Sequence, residues 1–544
     1  MVQVHPAVPF FARLSNTLLV LQFTCPRKGL GGNLSDRQAQ PLLEKIMSNS
    51  NPQGPPIAQR PKGFRDTPPE RVLARRQMID KIRRVYELYG FAPWETAAVE
   101  YLESLGKYLP DTDIPEGGIF AFRDEDNNWL ALRYDLTAPL SRIFSERMDR
   151  LPYPFRRYQV GPVWRNEKPG PGRFREFYQF DIDTVGSESM AADAEICCVL
   201  ADALEALDIP TGNYVIRVNN RKTLNGVLEV IGVPPDEQTS LEVLRAIDKL
   251  DRLGIDGVRQ LLGKGRIDES GDFKEGAHLR LDQVQHIIDL LSIKEDRRSK
   301  VCDRIEAIVR GSEVGERGVA ELRDMDGCLT AVGYAENKVI FDPTVVRGLA
   351  YYTGPVFEAA LTFEITDETG QRREFGAVAG GGRYDDLVER FIGKRVPATG
   401  ASIGVDRLAA ALEQLGKLSP ANTSAPVVVT VMDREHLLDY ERMTFDLRRA
   451  GIAAEMYLGE GGLNKQLKYA DLRRSIVAVI AGSREFEAGV VSLKDLRLGQ
   501  KLSKAITQRE DWIKDQPAQL TVPRDHLAHA VQEILDRYSD KQDT

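Results

Sequence analysis

The feature that most constrains this chain is a pair of polar, strand-like segments joined by a glycine-bearing loop. The first ends in Val163-Trp164-Arg165-Asn166-Glu167; the second runs Arg173-Phe174-Arg175-Glu176-Phe177-Tyr178-Gln179-Phe180-Asp181-Ile182-Asp183. Side chains alternate across a strand, so Gln179, Asp181 and Asp183 share one face and Tyr178, Phe180 and Ile182 the other. The apolar face can pack on a core, which leaves an amide and two carboxylates pointing at a polar ligand. Arg165 could reach a phosphate beside them, because a guanidinium matches phosphate geometry. Taken alone, the same pattern also describes a salt-bridged surface hairpin.

Around this pair the hydrophobic periodicity predicts an α+β chain. Val72, Met78, Ile79, Ile82, Val85 and Leu88 recur at helical spacing up to Tyr89, with Gly90 as the stop and Asp66 or Thr67 as the cap. Pro93 follows in an extended piece, which suits a sheet edge or a subunit contact. Strand patterns at 121–123, 129–134, 156–164 and 176–185 predict an antiparallel sheet, followed by a helix at 190–207 and a strand at 214–219. Residues from about 225 to 330 are charged, helix-patterned and strand-poor, a helical insertion; strand patterns resume at 339–341, 356–363 and 375–379. Residues 419–425 read as a linker. After it, 426–544 alternate strand and helix as a small α/β domain with a mostly parallel sheet. Residues 56–418 form the larger unit, and 1–55 are expected to be a disordered or spurious extension, Met47 being an alternative start.

Composition narrows the class. At 544 residues the chain is too long for one ordinary core. A net charge of −8 argues mildly against nucleic-acid binding, although local patches decide that. The five cysteines form no CxxC pair, as expected of reduced thiols in a cytosolic protein. The six histidines form no ligand cluster, so no protein-bound zinc is expected. No apolar run is long enough to span a membrane.

Three further clusters carry chemistry. Arg347-Gly348-Leu349-Ala350-Tyr351-Tyr352-Thr353-Gly354 could form a pocket wall with hydroxyl handles. Gly380-Gly381-Gly382-Arg383-Tyr384-Asp385-Asp386 permits close backbone approach, although a glycine run alone is more often a turn. In Gly400-Ala401-Ser402-Ile403-Gly404-Val405-Asp406-Arg407 a strand enters a helix with Arg407 near its positive end, a place for a polyphosphate. There is no GxxxxGK[ST] loop, so any ATP handling here uses arginines.

In this order the clusters resemble the three motifs of class II aminoacyl-tRNA synthetases. Arg347–Gly354 with Gly380–Asp386 resembles the two signatures of histidyl-tRNA synthetases, and the likeness covers about residues 56–540. It implies an antiparallel catalytic sheet flanked by helices, a homodimer built through the first helix and the Pro93 segment, and a C-terminal anticodon-binding domain. It further implies a cytoplasmic ligase that joins L-histidine to tRNA(His) through a histidyl-adenylate, with Mg2+ accompanying ATP. By the same resemblance Asp135 and Thr137 would hold the amino group of histidine, and Gln179 and Asp183 would complete that pocket. Tyr351, Tyr352 and Tyr384 would orient the imidazole. Arg165 would grip the α-phosphate with Glu167 near the adenine, Arg173 and Arg407 would hold the outer phosphates, and Arg347 takes the place of the catalytic arginine. The chain departs from the common pattern at Ala350, where Asp is frequent, at Trp164, where Phe is usual, and in Arg133-Tyr134-Asp135-Leu136-Thr137, where bacteria commonly have Arg-Pro-Glu-Gly-Thr. A non-aminoacylating paralogue, the regulatory subunit of ATP phosphoribosyltransferase, would share the core. The intact Arg347, the paired tyrosines and the following α/β domain argue against it. Lys465, Lys468, Arg473 and Arg474 could face tRNA or form an ordinary solvated helix face.

Overall fold

The computed structural model describes residues 58–105, 118–169, 174–233, 238–268, 271–346, 352–366, 372–418, 426–505 and 518–539. The expectations for residues 1–57, Arg173, Arg347, Ala350, Tyr351 and the 419–425 linker therefore lie outside the described residues.

The first helix, α1 (Pro69–Leu88), buries Ala74, Met78, Ile82, Val85 and Tyr86, a stripe at helical spacing. Its cap differs from the expectation. Pro68 is the N-cap and no side chain caps the helix, so Asp66 and Thr67 do not serve. Pro69 at the first position supplies a fixed φ and has no N–H to satisfy. Gly90 ends the helix at φ 79, a left-handed conformation that glycine adopts without strain.

The chain then builds an eight-stranded sheet. Its strands are β1 (Ala92–Pro93), β5 (Phe155–Trp164), β6 (Glu176–Val185), β7 (Tyr214–Asn220), β10 (Val339–Phe341), β11 (Pro355–Thr366), β12 (Arg372–Arg383) and β13 (Ala398–Gly404). Their order is β1-β5-β6-β13-β12-β11-β7-β10. The interior pairings are antiparallel, and β1 and β10 add parallel edges. Pro93 thus sits on an edge strand, where a missing N–H is tolerated.

The strands at 121–123 and 129–132 do not join this sheet. As β3 and β4 they pair with β2 (Val99–Tyr101) in a separate three-stranded sheet, so the single sheet expected from spacing is two. Between β7 and β10 the chain is mainly helical, as its periodicity requires, but it also contains the hairpin β8 (Gly265–Ile267) and β9 (Phe273–Glu275).

One face of the large sheet is covered by α1, by α2 (Met190–Glu205) and by the helix Val405–Gln414. Phe180, Ile182, Ile216, Val218, Phe357 and Ile403 project into that shared core with Met78, Ile82, Ile196 and Leu200. Each fully buried side chain of this kind contributes roughly 1.5–3 kcal/mol. The opposite face is therefore left to polar chemistry.

The C-terminal sheet has the order β15-β14-β16-β17-β18, with strands Val427–Val429 (β14), Ala454–Met456 (β15), Val477–Ile480 (β16), Val490–Asp495 (β17) and Gln519–Pro523 (β18). Pairings β14/β15 and β14/β16 are parallel, and β16/β17 and β17/β18 antiparallel. The sheet is mixed rather than mostly parallel. It has its own core of Val427, Val429, Tyr440, Leu447, Val479 and Val531. Of the basic residues there, Arg473 is bound by the Glu455 carboxylate, with Nε 2.9 Å from Oε1. Among the described residues no helix is long and apolar enough to cross a membrane.

Candidate active site

Strand register assembles the polar face row by row. One row reads Arg157, Asp183, Gly400, Gly382, Val356, Asn219 across β5, β6, β13, β12, β11 and β7. The next row on the same face reads Gln159, Asp181, Ser402, Gly380, Glu358, Arg217. The glycines clear the floor. A methyl group on Gly400 would stand 2.2 Å from Asp183 Oδ1, and one on Gly382 would stand 2.9 Å from Cδ1 of the Tyr352 ring. Bonds and rings occupy the space that side chains would take, which is why these strand positions carry no Cβ.

At one end the site is closed. Asp183 is 2% exposed; Tyr384 donates its hydroxyl hydrogen to one oxygen, and Arg157 Nη2 lies 2.8 Å from the other. Arg157 also donates to the Leu136 carbonyl (2.9 Å). Asp181 is equally buried, and burial together with the Asp183 charge pushes its carboxyl up to about 7; Arg157 and Ser402 act against the shift. Burial also raises Asp183. The Asp135 charge is felt at both carboxyls, so three acids gather around the buried Arg157, and Asp181 also interacts with the buried Arg133 guanidinium. Asp135 Oδ1 accepts from the backbone N–H of Thr137 (3.0 Å) and of Ala138 (2.9 Å), which fixes the start of the helix Thr137–Arg147. Gln179 donates to Ser402 Oγ (2.9 Å), while its own carbonyl oxygen is buried without a partner among the described residues.

At the other end the site is open and cationic. The Arg165 guanidinium lies over Tyr134 (4.3 Å) and Phe177 (5.1 Å) and donates from Nε to the Tyr134 carbonyl (3.3 Å). Tyr134 donates to Glu167 Oε1 (3.1 Å). Arg407, exposed in the first turn after β13, covers the Phe375 ring at 5.5 Å and donates to its carbonyl (3.1 Å). Its neighbour Asp406 pairs with Arg65 and accepts from the Tyr178 N–H (2.7 Å). Guanidiniums stacked on rings at a solvent-facing rim suit phosphate oxygens.

The structure thus brings Asp135, Thr137, Gln179, Asp183, Tyr352 and Tyr384 to one region of the sheet, and Arg165, Glu167 and Arg407 to its rim. Sequence reasoning missed Arg157, the role of Asp181 as a buried acid, and the aromatic platforms Tyr134, Phe177 and Phe375. Arg157 was within reach, because pairing the two strands antiparallel sets it opposite Asp183. The platforms come from distant segments and leave no local signal. Among the described residues no cluster of three His, Cys, Asp or Glu could hold a metal. A magnesium that arrives on nucleotide phosphates needs only one or two carboxylates, and Glu167 at the rim fits that requirement.

Comparison with known proteins agrees. The histidyl-tRNA synthetase family model matches residues 63–408, and an anticodon-binding-domain model matches 426–516. The chain is 56% identical over 487 residues to a histidine–tRNA ligase of Cereibacter sphaeroides, covering 88% of this chain and 98% of the relative. It is 53% identical to that of Ruegeria sp., covering 90% and 98%. A crystal structure of histidyl-tRNA synthetase from Nostoc sp. PCC 7120 superposes with a TM-score of 0.66 at 31% identity, covering 89% of this chain and all of that one. A Bacillus halodurans structure described as an ATP phosphoribosyltransferase regulatory subunit/histidyl-tRNA synthetase matches at TM-score 0.60 and 22% identity over 76% of this chain, which speaks to the fold alone. With a family model spanning most of its length and relatives more than half identical, the chain belongs to the histidyl-tRNA synthetase family.

Proposed function

We propose that this chain ligates L-histidine to tRNA(His) through a histidyl-adenylate, releasing diphosphate and then AMP. The observation that carries the reading is the division of one sheet face into a closed, acid-lined end and an open, arginine-lined end. Two unlike substrates can meet there, a small polar amino acid and a polyanion.

In this reading Asp135, Thr137 and Gln179 hold the ammonium group of histidine, and Tyr351, Tyr352 and Tyr384 orient the imidazole, with Asp183 holding the Tyr384 hydroxyl in place. A pocket of buried polar groups rejects amino acids that leave them unpaired, by roughly 10⁴-fold where such sites have been compared. Arg165 holds the α-phosphate, Glu167 lies near the adenine, and Arg173 and Arg407 take the outer phosphates. Mg2+ bound to the nucleotide would screen phosphate charge beside Glu167. The carboxylate of histidine attacks the α-phosphorus in line, and diphosphate leaves. Negative charge grows on the phosphoryl oxygens, and in this reading Arg165 and Arg347 stabilise it. Fixed donors of this kind are each worth roughly 3–4 kcal/mol of barrier. A terminal ribose hydroxyl of tRNA then attacks the activated carbonyl, and AMP leaves. Residues 56–418 serve as the catalytic core, with the insertion at about 225–330, and 426–544 bind the anticodon.

The chain is proposed to act as a cytoplasmic homodimer. Leu88 is 85% exposed, and Tyr101 and Phe122 are also exposed, which supports a contact near α1 and the Pro93 edge. Buried thiols at Cys197, Cys198 and Cys302 suit a reducing compartment. The decisive test is exchange of labelled diphosphate into ATP. Exchange with histidine alone among the amino acids, lost in Arg347→Ala, is the expected result. Absence of exchange in folded protein that binds histidine would move the assignment to the regulatory paralogue.

A further inference from the structure

Residues 62–65, just before α1, touch both sides of the open end. The Gly63 carbonyl accepts the backbone N–H of Arg175 (2.9 Å), and the Arg175 carbonyl accepts that of Arg165 (2.9 Å). The Arg175 side chain donates to the carbonyls of Glu167 (3.1 Å) and Lys62 (3.4 Å). Gly63 sits at φ 87, and a methyl group there would stand 2.8 Å from Cγ of Arg175, so the segment lies directly on this strand. Phe64 packs on Phe120, with ring centroids 5.8 Å apart. The Arg65 guanidinium covers the Phe174 ring at 4.1 Å and pairs with Asp406. One short segment thus holds the backbone that carries Arg165 and the helix turn that carries Arg407.

The second hold matters because that helix, Val405–Gln414, begins without a capping side chain; its N-cap is Gly404. An uncapped start leaves backbone N–H groups unsatisfied and needs an outside tie. Asp406 supplies it, taking the Tyr178 N–H on one oxygen and Arg65 on the other. The pair is partly buried, Asp406 being 13% exposed and Arg65 27%. Asp406 is also one residue from Arg407, beside the place proposed for the outer phosphates. Without a countercharge its carboxylate would repel that polyanion and compete for the Arg407 guanidinium. The Arg71–Glu413 pair ties the same helix to α1 about two turns further on, but in solvent and away from Arg407.

We propose that Arg65 is a positioning residue for the nucleotide: it occupies the Asp406 carboxylate, so that this acid anchors the helix start and leaves Arg407 to the phosphates. This rests on the ligase reading. In the test, full-length wild type, Arg65→Gln, Arg65→Lys, Arg71→Gln and the double variant Arg65→Gln with Asp406→Asn are compared. Histidine-dependent diphosphate exchange and equilibrium binding of ATP are both measured. For Arg65→Gln, KM and Kd for ATP should rise about tenfold, with KM for histidine within about twofold of wild type. The unfolding midpoint should hardly move, since a partly exposed pair adds little stability. Arg65→Lys, which keeps the charge, should recover most of the loss. The double variant should recover to within about threefold of wild type, because the unpaired carboxylate is gone; a purely structural tie gains no such rescue. Arg71→Gln should bind ATP as wild type does. Unchanged KM for ATP in Arg65→Gln would overturn the proposal. Equal rises in KM for both substrates, or a double variant weaker than the single, would overturn it too. Wild-type protein that binds ATP but exchanges with no amino acid would instead sink the ligase reading, and ATP binding by the variants would still decide the role of Arg65.

Discussion

The two ends of the site hold their charges differently. At the closed end Arg157, Asp183 and Tyr384 are each at most 3% exposed, and every charge is tied to a protein partner. At the open end Arg165 and Arg407 lie on aromatic faces with solvent beside them. A closed, desolvated end makes recognition steep, because an unmet polar group cannot fall back on water. An open end tolerates movement and is governed by charge and stacking. Closed-end substitutions should therefore strike stability and histidine affinity, and open-end substitutions should strike turnover with ATP.

Arg157→Ala should have the largest effect. It strands Asp183 without its buried ion-pair partner and takes a cation away from Asp181, and loss of one partner of a buried pair costs about 3–5 kcal/mol. Denaturant unfolding would show it, and a loss under about 1 kcal/mol would mean that the closed end is wetter than described. Next, Arg165→Lys keeps the charge but gives up the stacked, forked geometry over Tyr134 and Phe177. The kcat of diphosphate exchange should drop by about 10²–10³ with unfolding midpoints unchanged. An equal loss of stability would erase the contrast between the two ends.

Tyr384→Phe removes the donor to Asp183 without changing ring shape. KM for histidine should rise about 10- to 100-fold, the range for a hydrogen bond to a charged group, while KM for ATP stays put. Parallel rises in both would place Tyr384 outside the amino-acid pocket. The smallest effect is a pH dependence. Burial raises Asp181 to about 7, against about 3.9 when unfolded. The folded state then binds the extra proton between these values, so this group lowers stability as pH rises from about 4 to 7. Asp181→Asn should consequently melt higher, relative to wild type, at pH 8 than at pH 5. Melting curves that shift in parallel would show that Asp181 is not the raised group.

Much of the site was legible because it is written in strand alternation. Gln179, Asp181 and Asp183 on one face, backed by Phe180 and Ile182, follow from the two-residue period alone, and the structure buries all five in that arrangement. Arg407 in the first turn after a glycine-bearing strand was equally local. The helix stop at Gly90 and the edge position of Pro93 follow from what those residues can do with their own backbone. The cap of α1 was misread because Pro68 and Pro69 supply the geometry that a capping side chain would otherwise provide.

The sequence by itself determined which residues face together along each element, because side-chain period and backbone permission are local properties. It also determined, through the motif set, the family to which the chain belongs. Only the tertiary structure decided the partners across elements. It separated β3 and β4 from the main sheet, made the C-terminal sheet mixed, and set Arg157 against Asp183. Those outcomes depend on strand order and register between segments far apart in the chain. No local pattern encodes them, because pairing energy is settled by which faces can be buried at once.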